Sequence, residues 1–450
     1  MTGAAVEPVL AATVVLVRKG RRGPEVLLTR RPASMAFAPD VHVFPGGRVD
    51  PGDAEPSLLA RSVVPPEDAA RAIGGDLEPV AALAVHVAAI RELFEEAGVL
   101  LADVAEAAGV GVSVGPGIGV GAGAGGAVPS RSAALARSAL VGGEASFEEI
   151  AAELGLRLRT DLLVPLSRWV TPPILPRRFD ARFFAAELPV GARVTFEGDE
   201  VAGHAWSTPS AALEAMAAGE IGMWLPTSAT LQQLQHAESV AEMGERLAPG
   251  SLGTIEIEAI TPEITRIVMP AGGGVAGQPV CAYLVGRRRH VLIDPGDPIG
   301  PSFDRAVELA AARGGSIDAI ALTHVDPDHA GGAEALALIL GIPVFAGPGA
   351  GRLLPYPVDE LSDLQQVGVG DVPLRAVHAP GPRPDHLAFL VGEDQPRGFV
   401  VTGDLDGQRG ERAIVGPIDV AALASSRDRL HALAPGARWL SGHPAPTRQR

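Results

Sequence analysis

Arg91-Glu92-Leu93-Phe94-Glu95-Glu96-Ala97-Gly98-Val99 is the stretch that decides how this chain is understood. Glu92, Glu95 and Glu96 stand at i, i+3 and i+4, so on a helix they share one face. Three crowded carboxylates repel one another, and Arg91 alone cannot balance them. A hard divalent cation with oxygen ligands, Mg²⁺ or Mn²⁺, is the natural partner. Ile90, Leu93, Phe94 and Ala97 would pack the opposite face, and Gly98 is placed to end the helix. A solvated glutamate-rich surface helix could carry the same pattern. What argues against it is Val43-Phe44-Pro45-Gly46-Gly47-Arg48-Val49-Asp50-Pro51-Gly52-Asp53 upstream, a strand that stops at a glycine loop whose bare backbone can come close to phosphate or metal.

Together the loop and the helix resemble the box of the Nudix hydrolase family, G-x5-E-x7-R-E-U-x-E-E-x-G-U with U aliphatic. Gly47 and Asp53 match its first part, with Asp in place of Glu, and Arg91 to Val99 match its last part. The spacing departs: residues 54–90, 37 in all, separate Asp53 from Arg91. An insertion here resembles a Nudix subgroup that includes a peroxisomal coenzyme A diphosphatase, as do Trp169-Val170-Thr171-Pro172 and Arg178-Phe179-Asp180. The resemblance implies that Glu95 and Glu96 bind the metal and that Glu92 binds metal or acts as base. It further implies that Arg91 orients a glutamate and that the Gly46 carbonyl completes the coordination. Arg91, Glu92 and Glu96 are the expected catalytic residues. The implied chemistry is attack of water on a diphosphate phosphorus, and the inserted residues are expected to shape the substrate pocket.

Outward from the helix, the 450 residues exceed one ordinary domain. Residues 108–143 form a Gly/Ala/Val/Ser tract, read as a flexible insertion because glycine at that density is costly to order. Residues 144–240 regain aromatic and charged side chains and belong with the first fold, expected over 8–245. A linker is expected at 246–256, starting at Arg246. Beyond it strands and helices alternate: a hairpin from Ala282–Val285 and Val291–Ile293, helices at Phe303–Arg313 and Gly332–Leu340, and buried strands at Ile317–Leu322 and Phe399–Thr402.

In this second region Thr323-His324-Val325-Asp326-Pro327-Asp328-His329 follows a buried strand and has the texture of a metal-binding loop. Ala379-Pro380-Gly381-Pro382, Thr402-Gly403-Asp404 and Ser441-Gly442-His443 come after it. The order resembles the metallo-β-lactamase fold over 257–447, with H-x-H-x-D-H, a PGH histidine, a bridging Asp and a last His. Asp294-Pro295-Gly296 fits that family's early turn. Two positions depart: Asp326 stands for the second histidine and Pro382 for the PGH histidine. The resemblance implies one good metal site from Asp328, His329, Asp404 and His443, holding Zn²⁺ or another divalent ion. A weak or absent site would be left to His324, Asp326 and Asp404. His378 or His386 could substitute for the missing histidine. His86, His204, His236 and His431 read as surface or packing residues, as does the single cysteine, Cys281.

The expected fold class is α/β and α+β in two domains, a Nudix α/β/α sandwich followed by a metallo-β-lactamase αββα sandwich. The net charge of −16 makes nucleic acid a poor partner. No apolar run reaches membrane-spanning length and Val9–Val17 lacks the flanks of a signal peptide, so a cytoplasmic protein is expected. Arginine supplies nearly all the basic charge, Lys19 being the one lysine. The expected substrate is a small nucleotide derivative, coenzyme A or an acyl derivative, cleaved at its diphosphate bond. For the second domain, thioester hydrolysis, RNA processing and a non-catalytic binding role all stay open, as does a homo-oligomer.

Overall fold

The computed structural model describes residues 7–32, 40–74, 76–104, 117–118, 128–171, 177–196, 201–223, 225–247, 255–269, 279–296, 300–354, 356–392, 398–406 and 418–444. Contacts divide the chain into two compact units, Met1–Ser251 and Leu252–Arg450.

In the first unit the main sheet runs in the order Gly203–Ser207, Pro24–Arg30, Val9–Lys19, Phe179–Glu187, Val164–Val170, and Val9–Lys19 lies parallel to Phe179–Glu187. Side chains alternate across the sheet. Val14 and Leu16 join one core with Leu83, Ile90 and Phe94, whereas Val15 and Val17 join another with Leu231, Met243 and Leu247. Both faces of a strand are thus apolar because helices cover both, which yields three layers. The helix Pro79–Ala97 fills one face and ends at Gly98, whose φ of 68° is left-handed.

The insert between Asp53 and Arg91 is part of this core. It forms the helices Pro56–Leu59 and Pro66–Ala72 and the first turns of Pro79–Ala97, and it buries Leu58, Ala69 and Ile73. Asp76 in the same insert accepts two bonds of 2.8 Å from Arg182, whose guanidinium also pairs with Asp180. This network ties the insert to the Phe179–Glu187 strand and gives Asp180 its partner.

Two expected boundaries are corrected. The Gly/Ala tract does not run to 143: Ser130–Val141 is a helix, with Ala133 and Arg137 buried at i and i+4. Its sequence, SRSAALARSALV, is rich in helix formers and has no glycine. Residues 105–116 and 119–127 of the tract lie outside the described residues. The linker is also shorter than 246–256. Arg246 and Leu247 close the helix Val240–Leu247, where Val240, Met243 and Leu247 continue one buried stripe, and Glu256 opens a strand. Residues 248–254 lie outside the described residues.

The second unit stacks two sheets. The larger runs Glu256–Thr261, Ile264–Met269, Val280–Val285, Arg289–Ile293, Ser316–Ala321, Val344–Ala346, Asp359–Glu360, and the smaller Leu374–His378, Leu387–Val391, Phe399–Gly403, Arg438–Ser441. Tyr283, Ile293 and Ala321 of one meet Leu387, Phe389 and Val401 of the other. The helix Val420–Leu433 covers the outer face of the smaller sheet through Leu430, and Gly300–Ala312 and Ala333–Leu340 pack on the larger. The expected αββα layering is observed. Cys281 is buried in this core, which pushes its thiol up to about 11. Among the described residues no helix is long and apolar enough to cross a membrane.

Candidate functional site

In the first unit the insert leaves the two halves of the motif in contact. Arg91, 38 positions from Asp53, donates to it twice, Nε to Oδ1 at 2.8 Å and Nη2 to Oδ2 at 2.9 Å. The Asp53 carboxylate also accepts the Asp50 N–H at 2.8 Å and is fully buried. The same guanidinium bonds Glu92 Oε1 at 2.9 Å, Glu95 Oε2 at 3.1 Å and the Arg48 carbonyl at 2.9 Å. Glu96 Oε2 accepts the Gly46 N–H at 3.0 Å. A Cβ at Gly47 would lie 2.4 Å from Glu92 Oε1, so a larger residue there would displace the Glu92 carboxylate.

These contacts set the electrostatics. Burial pushes Glu92 up to about 7 and also raises Glu95. Burial alone would lower Arg91, but Asp53, Glu92 and Glu95 keep it charged. Hard oxygen donors whose ionisation is opposed by burial suit a divalent cation, which would offset that cost. In this arrangement, however, the glutamates hold Arg91 and Gly46 instead of converging on one point. The metal-capable groups found among the described residues are both in the second unit.

Sequence reasoning missed Arg137. Its side chain is 2% exposed and reaches the C-terminal end of the Pro79–Ala97 helix. Nε and Nη2 donate to the Glu95 carbonyl at 3.0 and 2.7 Å, Nη2 donates to the Glu96 carbonyl at 3.1 Å, and Nη1 to Thr195 Oγ1 at 3.0 Å. An arginine inside the stretch read as a Gly/Ala tract carried no signal of this role.

The second unit gathers His329, Asp404, His443 and Asp328. His329 Nε2 lies 3.3 Å from Asp404 Oδ1, 3.4 Å from His443 Nε2 and 3.8 Å from Asp328 Oδ2. His443 Nε2 lies 3.3 Å from Asp404 Oδ1 and 3.6 Å from Asp328 Oδ2. A tetrahedral ion with bonds of about 2.0–2.1 Å sets its ligand atoms about 3.3–3.4 Å apart, a spacing that the His329, Asp404 and His443 atoms match; the metal-capable groups among the described residues are Asp328, His329 and His443, and His324, His329 and Asp404. Their outer nitrogens are engaged as orientation demands: His329 Nδ1 meets Asp294 Oδ2 at 2.8 Å and His443 Nδ1 meets the Pro279 carbonyl at 2.8 Å. Asp294, at φ 52°, also accepts from Thr323 N and Oγ1, both at 2.7 Å. The sequence showed its turn but not this role. Gly442 must be glycine, since a Cβ would approach His329 Cε1 to 2.8 Å.

Burial would raise the Asp404 carboxyl, yet the imidazoles of His324, His329 and His443 hold it well below its ordinary value. Burial would lower His329, and Asp294, Asp328 and Asp404 hold it well above. Such a knot of buried charge is what bound metal replaces.

The remaining candidates lie beside this knot. His324 Nε2 is buried without a hydrogen bond, 3.7 Å from Asp404 Oδ2 and 3.5 Å from Asp326 Oδ2. Asp326 does not join either metal-capable group, and its Oδ1 accepts from Arg383 Nη1 at 2.7 Å. Neither expected substitute histidine joins a group. His378 Nε2 bonds the Pro384 carbonyl at 2.8 Å. His386 stacks on His324, its Nε2 accepts the Asp404 N–H at 3.2 Å, and burial lowers it to about 3. His86 packs on Phe184 and His431 on Trp439.

The family model for the NUDT19 Nudix domain matches residues 5–234, which is 230 of the 450, just over half. The chain belongs to the NUDT19 Nudix family. The model for the metallo-β-lactamase superfamily matches residues 274–443, so this Nudix protein carries a metallo-β-lactamase-type second domain. Both families are hydrolytic and use divalent metals. The acyl-coenzyme A diphosphatase NUDT19 of Gallus gallus is 29% identical over 52% of this chain and 69% of its own length. An atrochrysone carboxyl ACP thioesterase of Aspergillus chevalieri is 30% identical over 37% of this chain and 52% of its own. A crystal structure of a NUDIX hydrolase from Alicyclobacillus acidocaldarius is 27% identical, with a TM-score of 0.41, over 55% of this chain and 100% of that one. The Nudix protein thus spans about half the length of the fungal relatives that match its second domain.

Proposed function

We propose that the Nudix domain hydrolyses the diphosphate bond of a coenzyme A-type nucleotide, with Mg²⁺ or Mn²⁺ held by Glu92, Glu95, Glu96 and the Gly46 carbonyl. The observation that carries this reading is the pair of hydrogen bonds from Arg91 to Asp53, which closes the motif across its insert while the same guanidinium holds Glu92 and Glu95 and the Gly46 N–H holds Glu96. The ion would neutralise charge on the phosphoryl oxygens and acidify the attacking water. Arg91 orients Glu92 and Glu95. Glu92, which burial raises to about 7, is matched to accept the water proton near neutral pH. The named relative acts on acyl-coenzyme A, which supports the substrate class.

The second domain is proposed to cleave a thioester with one Zn²⁺-type ion on Asp328, His329, Asp404 and His443. The near-tetrahedral spacing of the His329, Asp404 and His443 atoms and the thioesterase relatives favour this over a binding module or an RNA-processing enzyme. One chain would then act on an acyl-coenzyme A at both its thioester and its diphosphate.

The test is mass spectrometry of the products from acyl-coenzyme A, free coenzyme A, nucleotide sugars and dinucleotides with saturating Mg²⁺ and Mn²⁺. Wild type is expected to split the diphosphate of acyl-coenzyme A into a phosphorylated pantetheine part and an adenosine bisphosphate, and its thioester into a free acid and a thiol. Glu96→Gln should abolish only the first reaction and His329→Ala only the second. Failure to cleave any diphosphate sinks the first reading. Intact thioesters together with salt-sensitive RNA retention would favour an RNA role for the second domain.

A further inference from the structure

The loop at 379–385 places a fixed cation on Asp326, the carboxylate whose other oxygen faces His324. Arg383 is 7% exposed. Its Nη1 donates to Asp326 Oδ1 at 2.7 Å and its Nε to Asp385 Oδ1 at 2.9 Å. Asp385 is 2% exposed, and its Oδ2 accepts the Val325 N–H at 3.0 Å. The guanidinium is therefore clamped between two buried carboxylates, one of them anchored to the metal loop. Neighbouring Pro382 offers no side-chain donor.

His324 Nε2, Asp326 Oδ2 and Asp404 Oδ2 still face one another here, at 3.5 and 3.7 Å from the imidazole nitrogen. That trio could begin a second metal site. Any ion on Asp326 Oδ2 would lie next to the guanidinium bonded to the other oxygen of the same carboxylate. Arginine keeps its charge under all ordinary conditions, so it cannot yield by losing a proton. In a buried site two adjacent cations repel with little screening.

We propose that Arg383 acts as a built-in cation that takes the place of a second metal, so that Asp326 serves an ion pair and the domain holds a single ion. The inference rests on the reading that Asp328, His329, Asp404 and His443 hold that ion. It explains both departures from the metal-binding pattern with one device. Asp326 is matched to a guanidinium as a histidine would not be, and the missing donor at Pro382 is not needed.

Metal counting tests it without reference to activity. The full chain is prepared with Glu95→Gln and Glu96→Gln, so that the Nudix domain contributes no ion. Zinc is then added, the excess is dialysed away, and bound zinc is counted by native mass spectrometry and elemental analysis. One zinc per chain is expected, falling to none with His329→Ala. Arg383→Ala removes the cation bonded to Asp326 and is expected to raise the count to two, while Asp326→Asn should leave it at one. Two zinc ions in the Arg383-containing chain, or loss of the single zinc in Asp326→Asn, overturns the inference even if Arg383→Ala proves insoluble. So does a count that stays at one in a folded Arg383→Ala chain. Retention of no zinc at all would instead sink the single-ion reading beneath it.

Discussion

Replacing Arg137 by Met tests how the carboxylate helix is held. Methionine keeps the apolar stem but removes every donor. Three acceptors then lose a partner: the Glu95 and Glu96 carbonyls and Thr195 Oγ1. The carbonyls belong to the last turn of the helix, which has no intrahelical donor for them. Hydrogen bonds from a charged donor contribute about 1.5–3 kcal/mol each, partly offset because a buried charge is also removed. At a net of about 1 kcal/mol per acceptor, Arg137→Met should destabilise the Nudix domain by roughly 3 kcal/mol. Loss of a favourable cation at a helix C-terminus acts in the same direction. The assay is urea denaturation, paired with hydrogen exchange on the peptide covering residues 90–99. The variant should lose protection at that helix end first and bind Mg²⁺ more weakly, because Glu95 and Glu96 lose their fixed positions. A change below about 0.5 kcal/mol, the range of ordinary surface substitutions, would refute the idea that Arg137 clamps the helix.

Gly98→Ala should destabilise the same region by more than about 1 kcal/mol, since its Cβ would meet Thr195 Oγ1 at 2.2 Å and its φ is 68°; a neutral result in thermal unfolding would contradict this. In metal-free protein, burial raises Glu92 from 4.5 to about 7. The stabilisation from its protonated form is full below pH 4.5 and disappears as pH rises through 7. Between pH 6 and 8 the loss is roughly 1.4 kcal/mol at about 1.4 kcal/mol per unit of pKa. Glu92→Gln should remove this slope in denaturation measured with a chelator, and parallel slopes for the two proteins would count against it. Asp294→Asn should weaken zinc binding about 10–100-fold by releasing His329 Nδ1 from its carboxylate. Zinc competition with a coloured chelator reads that directly, and unchanged affinity would mean that Asp294 does not orient the ligand.

Local pattern carried much of this protein. The i, i+3, i+4 glutamates, the apolar face behind them and Gly98 as the terminating residue follow from helical period alone. The His324–His329 loop was likewise legible as metal-ligand texture at a strand end, whereas Asp294 and Asp404 were placed only by the family resemblance. Where expectation and structure part, the deciding partner is distant in sequence. The Ser130–Val141 helix was absorbed into the glycine tract because composition was averaged across its start. Asp326 was read as a ligand of the weak site because it stands at the second-histidine position of the resembled pattern, and nothing local reveals the guanidinium of Arg383.

By itself, then, the sequence determined the carboxylate helix and the kinds of atom available to metal, since these depend on periodicity and residue chemistry, and it pointed to the two folds through the families its motifs resemble. Only the tertiary structure decided which of those atoms meet. Arg91 reaches Asp53 across the insert, Arg137 reaches the Glu95 carbonyl, and Arg383 engages Asp326. An arginine's charge is known from its letter, but its partner depends on which chain segments the packed core brings within about 3 Å, a length that spacing along a folded chain does not set.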